Sequence, residues 1–79
     1  MVTVEKLTDI FERVFEGEIN VEGLNEQSNL RDDVGINSIG MLYMAMACEE
    51  EFGIKFTNED FPSILTVKDV IDCIERKLN

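Results

Sequence analysis

The spacing of apolar residues constrains the fold of this chain more than any other feature of its sequence. In two segments, near the start and at the end of the chain, apolar side chains recur at steps of three and four, which is the period of a helix buried on one side; a third segment between them is apolar in nearly every position. No stretch alternates with the period of two that is typical of a half-buried strand. The sequence therefore predicts an all-α fold, a small four-helix bundle with three main helices and one short helix.

Signals for helix ends set the expected boundaries. Thr3 suits the N-cap of the first helix, and Gly53 suits the left-handed position that follows the second. Thr66 and Asp69 have the spacing of a capping box at the start of the last helix. We expect four helices, from Thr3 to near Gly17, from Ser38 to Phe52, from Thr57 to Phe61 and from Thr66 onward. In the short helix Asp60 lies three residues after Thr57, and Pro62 follows its end.

The segment 17–37 is rich in glycine, asparagine and aspartate, and helical spacing is lost there. Apolar residues occur in it only singly, and we expect them to pin a long loop to the core. Loops of this length are unusual in a small domain and tend to carry function. We therefore expect this connection to be functional.

The length of 79 residues predicts a single domain over 1–79, near the lower limit for one hydrophobic core. The longest apolar stretch is too short to span a membrane, and the N-terminal residues lack the pattern of a signal peptide. A cytoplasmic location is therefore expected. Cys48 and Cys73 lie among apolar residues at helical spacing, so we expect reduced thiols in the core.

Charge and composition exclude several classes of function. The formal net charge of -10 repels nucleic acid and anionic lipid surfaces, and it attracts basic patches on other proteins. Because the chain has no histidine and no Cys-x-x-Cys pair, neither a zinc site nor a histidine-based triad can form. The chain is expected to be neither an enzyme nor a metal protein, and to act as a monomer on protein partners.

The second helix is apolar on every side, because only Gly40 interrupts the apolar run from 39 to 48. Burial at the centre of the bundle is one explanation. The other is that one side of the helix meets a partner or a cargo, which its flexible methionines would suit. Glu49, Glu50 and Glu51 end this helix where its dipole disfavours negative charge, as a solvated face or as a surface for a basic partner.

Ser38 begins this helix and follows Asn37, and both residue types are favoured helix caps. From spacing alone, Ser38 is either an unmodified cap or a residue with a further role.

Three runs of sequence, in order and at matching spacing, bear on this choice. They are Asp33-Val34-Gly35-Ile36-Asn37-Ser38-Ile39, then Glu49-Glu50-Glu51-Phe52-Gly53-Ile54, then Thr66-Val67-Lys68-Asp69-Val70-Ile71. Together they resemble the acyl carrier protein family over nearly the whole chain. The resemblance implies that Ser38 carries 4′-phosphopantetheine, derived from coenzyme A, and that acyl groups are held on it as thioesters for fatty-acid or related acyl and polyketide biosynthesis.

The resemblance also implies partners and two further sets of residues. The expected partners are a phosphopantetheinyl transferase and acyltransferases, ketosynthases or acyl ligases that present basic patches. The residues expected to meet these partners are Asn37, Ile39, Met41, Tyr43, Met46, Glu49 and Glu50. The residues expected to line a cavity for the acyl chain are Met44, Cys48, Phe52, Ile64, Leu65 and Ile71.

Some positions depart from the family pattern Asp-Leu-Gly-x-Asp-Ser-Leu. Asn37 replaces an aspartate, and Gly40 and Tyr43 stand where carriers of fatty-acid synthesis commonly have acids. The partner-facing side of the second helix is thus less acidic and more apolar than in carriers of fatty-acid synthesis, which suggests a specialised carrier with dedicated partner enzymes. The alternatives are a peptidyl or aminoacyl carrier and, from another class, an unmodified helical module for protein interaction.

Overall fold

Three α-helices form most of the protein in the computed structural model, which describes residues 2–79; Met1 lies outside the described residues. Helix α1 is Val4–Phe15, α2 is Ser38–Phe52 and α3 is Val67–Leu78. A short 3-10 helix, Phe61–Ser63, precedes α3. The prediction of an all-α bundle with three main helices and one short helix is confirmed.

The predicted caps of the main helices are confirmed. The Thr3 hydroxyl accepts a hydrogen bond from the Lys6 N–H at 3.1 Å. Gly53 follows α2 in the left-handed conformation, with φ 67°. Thr66 and Asp69 form the complete capping box at the start of α3, since each side chain accepts from the backbone N–H of the other. Short-range hydrogen bonding therefore determines where these helices begin and end.

The short helix differs from the prediction. Thr57 and Asp60 do interact, because the Thr57 N–H donates to the Asp60 carboxylate at 2.8 Å, but they close a turn and not a helix. The helix begins one residue after Asp60 and contains Pro62 in its first turn. Proline is tolerated there because the first N–H groups of a helix lack partners in any case. The predicted boundaries of 57–61 are therefore wrong.

The long loop contains a π-helical turn, Leu30–Val34, which was predicted as irregular. The Asn29 side chain caps it by accepting from the N–H groups of Arg31 and Asp32, at 2.9 and 2.8 Å. Gly35 ends it with φ 92°. Leu30 and Val34 are each only 2% exposed, so the turn is anchored in the core as the isolated apolar residues predicted.

The core is built from one side of each main helix and from the loop. Cys48 and Cys73 are both buried and free, which confirms the prediction of core thiols. No helix within residues 2–79 combines the length and the apolar character needed to cross a bilayer. The side chains that are less than 2% exposed include Leu7, Ile10, Phe11, Met44, Cys48, Val67, Val70 and Ile74.

Helix α2 is only partly covered by this core. Met44 and Cys48 are fully buried, whereas Ile39, Tyr43 and Met46 are 56–63% exposed on the other side of the same helix. Burial at the centre of the bundle therefore explains only half of its apolar character. The exposed half requires another explanation, because large apolar groups gain nothing from contact with water.

Gly40 lets the first turn of α2 approach its neighbours closely. A Cβ atom at this position would lie 2.9 Å from Ile36 Cγ2 and 3.3 Å from the Phe15 ring. Both distances are shorter than ordinary van der Waals contact, so a larger residue would push the start of α2 away from α1 and from the loop. The close packing at Gly40 holds the N-terminal end of α2 in place.

Candidate functional site

Ser38 is the first residue of α2, and its side chain is exposed. The N-cap of the helix is Asn37, whose side-chain oxygen accepts from the Gly40 N–H at 2.7 Å. Because Asn37 fills the capping role, the Ser38 hydroxyl is not needed for it, and that hydroxyl makes no hydrogen bond with residues 2–79. Ser38 therefore presents a free hydroxyl to solvent.

The backbone beneath this hydroxyl is held firmly. Ile36 is 2% exposed, and its N–H donates to the Leu30 carbonyl at 2.8 Å. The cap at Asn37 and the close contact at Gly40 fix the next residues. An exposed side chain on a fixed backbone is a suitable arrangement for a residue that another protein must find and modify.

The start of α2 fits a phosphate. The N–H groups of Ser38 and Ile39 have no acceptor within the helix, and the positive end of the helix dipole lies here. The first turn contains no acidic residue that would repel an anion. A phosphodiester on the Ser38 oxygen is therefore compatible with the local charges and donors.

A groove of about 780 Å³ opens beside Ser38. It lies between the first half of α2, the π-helical turn and the segment 58–65, and most of its lining is apolar. An apolar groove next to a reactive group can hold a flexible chain attached to that group. The lining residues are Asn29, Leu30, Arg31, Asp32, Ile36, Ser38, Met41, Leu42, Asn58, Phe61, Pro62, Ile64 and Leu65.

The residues predicted to line an acyl cavity are separated in this structure. Ile64 and Leu65 line the groove with Ser38. Met44, Cys48 and Ile71 belong to the packed core, where Met44 and Cys48 have no exposed surface. The sixth predicted residue, Phe52, is half-buried at the last position of α2. The Lys6 Nζ lies over its ring, 5.9 Å from the ring centroid.

The residues predicted to meet partners fall into two groups. Tyr43, Met46, Glu49 and Glu50 line a second, shallow groove of about 560 Å³ on the C-terminal half of α2. At the N-terminal half, Ile39 is exposed, Asn37 is the cap, and Met41 is half-buried in the groove beside Ser38. Helix α2 thus presents two neighbouring surfaces.

Two of the three glutamates at the C-terminal end of α2 make contacts within the protein. The Glu49 carboxylate accepts from the Phe56 N–H at 2.8 Å, and Glu51 pairs with Arg13 at 3.2 Å. Glu49 therefore stabilises the chain reversal after α2 in addition to any role with a partner. Glu50 is exposed and has no ion pair within residues 2–79.

The chain's own thiols are unsuited to holding a cargo. Burial, reinforced by the charges of Glu49 and Glu51, raises the pKa of Cys48 to about 12. Burial also raises the pKa of Cys73. Since the thiolate is the reactive form and Cys48 is fully enclosed, the thiol on which the resemblance implies that acyl groups are held is not Cys48.

Comparisons with known proteins agree with this geometry. The family model described as the phosphopantetheine attachment site matches residues 5–74. The chain is 32% identical to an acyl carrier protein of Coprothermobacter proteolyticus, over 94% of this chain and 93% of the relative. It is 34% identical to one from Solidesulfovibrio magneticus, over 98% and 96%. The solution structure of a holo acyl carrier protein from Geobacter metallireducens matches with a TM-score of 0.80 and 27% identity, over 99% of this chain and 87% of that one.

The chain therefore belongs to the phosphopantetheine-attachment family, a class of carriers and not of catalysts. Within this class it is an acyl carrier protein, which carries acyl groups on covalently attached 4′-phosphopantetheine. Proteins of this family work with phosphopantetheinyl transferases and with biosynthetic enzymes. The resemblance seen in the sequence is confirmed.

Four of the residues that line the groove were predicted as site residues, namely Ser38, Met41, Ile64 and Leu65; the others, among them Arg31, Leu42 and Asn58, were not. Leu42 lies one helical turn after Ser38, so its side of α2 could have been inferred from the period of the helix. Arg31 and Asn58 come from segments far apart in the chain, and no local signal brings them together.

Proposed function

We propose that Ser38 is the residue that bears 4′-phosphopantetheine, in a carrier for fatty-acid or related acyl and polyketide biosynthesis. The observation that supports this most is the free, exposed Ser38 hydroxyl on a capped helix end. The other two serines are engaged: Ser28 is buried and accepts from the Asn25 N–H, and the Ser63 hydroxyl donates to the Asp60 carbonyl. The attached group supplies a flexible arm with a terminal thiol that holds the acyl group as a thioester.

Peptide mapping tests this assignment. The protein is incubated with coenzyme A, magnesium and a broad-specificity phosphopantetheinyl transferase, then digested and sequenced by tandem mass spectrometry. We expect the added group on Ser38 alone. Recovery of the group on Ser28, Ser63 or a threonine would show that the free hydroxyl at the start of α2 is not the recognised site.

We also propose that the chain acts as one domain over 1–79, as a cytoplasmic monomer without catalytic activity. Its acidic surface keeps copies apart and steers them toward basic proteins, which suits a shuttle that must visit several enzymes. Sedimentation equilibrium measures the monomer directly, and a stable dimer at micromolar concentration contradicts it.

We further propose that partner enzymes contact the exposed side of α2. They are phosphopantetheinyl transferases and acyltransferases, ketosynthases or acyl ligases with basic patches. The net charge of -10 speeds encounter with such patches, while Ile39, Tyr43 and Met46 supply apolar contact area. Of the two positions where carriers of general fatty-acid synthesis commonly have acids, Gly40 is buried here and Tyr43 is exposed, so it is the exposed Tyr43 that favours dedicated partners of a specialised pathway.

Replacing Tyr43 by glutamate tests this surface. We expect Tyr43→Glu to reduce kcat/KM for acyl transfer by a cognate partner about tenfold, because an aromatic contact is replaced by a charge that must be desolvated. Leu78→Glu is the matched control, since Leu78 is 50% exposed at the far end of α3 and undergoes the same change of charge. Equal effects of the two substitutions would locate the partner surface elsewhere.

Finally, we propose that a long acyl chain is sheltered between the helices by Met44, Cys48, Phe52, Ile64, Leu65 and Ile71. The groove at Ile64 and Leu65 is the way in, and the packed side chains beyond it must shift to admit the chain. Each buried methylene is worth about 0.8 kcal/mol, which offsets that rearrangement. The melting temperature should rise with acyl length above that of the bare-arm form; equal melting temperatures for all lengths rule out internal burial.

A further inference from the structure

Arg31 is one of four basic residues that form no ion pair within residues 2–79. The sequence has seven lysines and arginines against 17 acids. Within residues 2–79, Arg13, Lys68 and Lys77 form ion pairs at 2.8–3.2 Å. Arg31 forms none, although two aspartates follow it directly in sequence. Its guanidinium thus has its donors available.

The backbone of Arg31 is fixed while its side chain is free. The Asn29 side chain accepts from the Arg31 N–H at 2.9 Å, and the Asp33 carboxylate accepts from the Asn29 N–H at 2.7 Å. The neighbouring Leu30 N–H donates to the Leu65 carbonyl at 3.0 Å, which ties the turn to the segment before α3. The charge is therefore carried on a rigid support and needs little ordering to bind a ligand.

Arg31 lines the same groove as Ser38. Of the described residues that line this groove, Arg31 is the one cation and Asp32 the one carboxylate, and most of the others are apolar. A group tethered to Ser38 that lies in the groove therefore shares it with Arg31. A planar guanidinium pairs well with carboxylates and phosphates through two parallel hydrogen bonds.

We propose that Arg31 binds an anionic group brought into the groove by the arm on Ser38. The shared chemistry is an oxyanion, supplied either by the phosphodiester of the arm or by a carboxylate at the free end of the acyl cargo. The inference rests on the proposed attachment at Ser38. It makes Arg31 a positioning residue for the arm in the first case and a selector of carboxylated cargo in the second.

The experiment compares four forms of the isotope-labelled protein by NMR: unmodified, bare arm, hexanoyl and adipoyl. The hexanoyl and adipoyl groups have the same chain length, but hexanoyl ends in a methyl group and adipoyl ends in a carboxylate. A promiscuous transferase loads each from the matching coenzyme A thioester, and intact mass confirms loading. The signal observed is the Nε–Hε group of Arg31. That of Arg76 is the control, because Arg76 is also exposed and unpaired in the described chain but lines neither of the two grooves along α2.

A shift of the Arg31 signal on addition of the bare arm identifies the phosphodiester as its ligand. A shift that appears only with adipoyl identifies the cargo carboxylate. In either case, Arg31→Gln should reduce the ratio of docked to free arm about threefold, as for an exposed ion pair, and Arg76→Gln should leave it unchanged. This ratio is read from the chemical shifts of groove residues such as Leu42 and Leu65.

Two outcomes overturn the inference and are distinguishable. If all forms load but the Arg31 signal moves no more than that of Arg76, the anion contact is wrong and the attachment at Ser38 stands. If the mass shows that no form loads, the proposed attachment fails and the inference about Arg31 fails with it.

Discussion

The Ser38→Ala protein is expected to gain no mass under conditions that load the parent completely, and to be as stable as the parent. Loading needs an oxygen at this position, and the other two serine hydroxyls are committed to internal hydrogen bonds. Stability should hold because the Ser38 side chain is exposed and the cap is supplied by Asn37. A surface substitution of this kind changes the free energy of unfolding by less than about 0.5 kcal/mol.

Urea unfolding and intact mass measure the two halves of this expectation. Ser63→Ala is the matched control, since it removes a hydroxyl from an exposed serine outside α2 and should load normally. A Ser38→Ala protein that still accepts the group contradicts the assignment. One that fails to load because it is unfolded is recognised by its urea curve.

The Ile36→Ala protein is expected to lose about 2–5 kcal/mol of unfolding free energy, the usual cost of truncating a buried isoleucine. A chain of this size has about 4–12 kcal/mol in total, so the loss is a large fraction of its stability. Ile36 is 2% exposed, lies beside Gly40 and lines the groove next to Ser38. Its removal should therefore loosen the start of α2 as well as the core.

Loading of Ile36→Ala should also slow about tenfold at a temperature where most molecules remain folded, because small displacements of a reacting group are costly. Ile36→Val is the control; it keeps the methyl group near Gly40, should cost only about 0.5–1.5 kcal/mol and should load at nearly the parent rate. A destabilised Ile36→Ala protein with an unchanged rate would mean that packing under Ser38 is not needed for recognition.

The helix ends were predictable because they depend on neighbours in sequence. Thr3, Gly53 and the pair Thr66 and Asp69 each act within a few residues of themselves, and their residue types fit few other positions. The spacing of Thr57 and Asp60 predicts a helix start, but their hydrogen bond closes only a turn. The helix begins at Phe61, with Pro62 in its first turn, where proline is tolerated.

The groove beside Ser38 could not be predicted in the same way. Its walls come from the π-helical turn, from α2 and from the segment 58–65, which lie together only after folding. The all-round apolar character of α2 indicated that some of its side chains had to remain outside the core. This character did not indicate which side chains remain outside, because a helix that is apolar all round has no amphipathic pattern from which its buried side can be predicted.

Asn37 shows how the structure clarifies a departure from the family pattern. An aspartate there could cap α2 through a carboxylate oxygen where Asn37 uses its amide carbonyl oxygen, so asparagine keeps the cap and removes one negative charge next to Ser38. This change favours an anion on Ser38 itself.

The most direct measurement of the central claim is the intact mass of the parent protein after incubation with coenzyme A, magnesium and an active broad-specificity phosphopantetheinyl transferase. A gain of one phosphopantetheine per chain is the predicted result, and it establishes a carrier whose cargo can then be sought. No gain by a folded protein, with a known carrier loaded in parallel, would contradict the account. It would favour a helical module that uses the exposed side of α2 for protein interaction without modification.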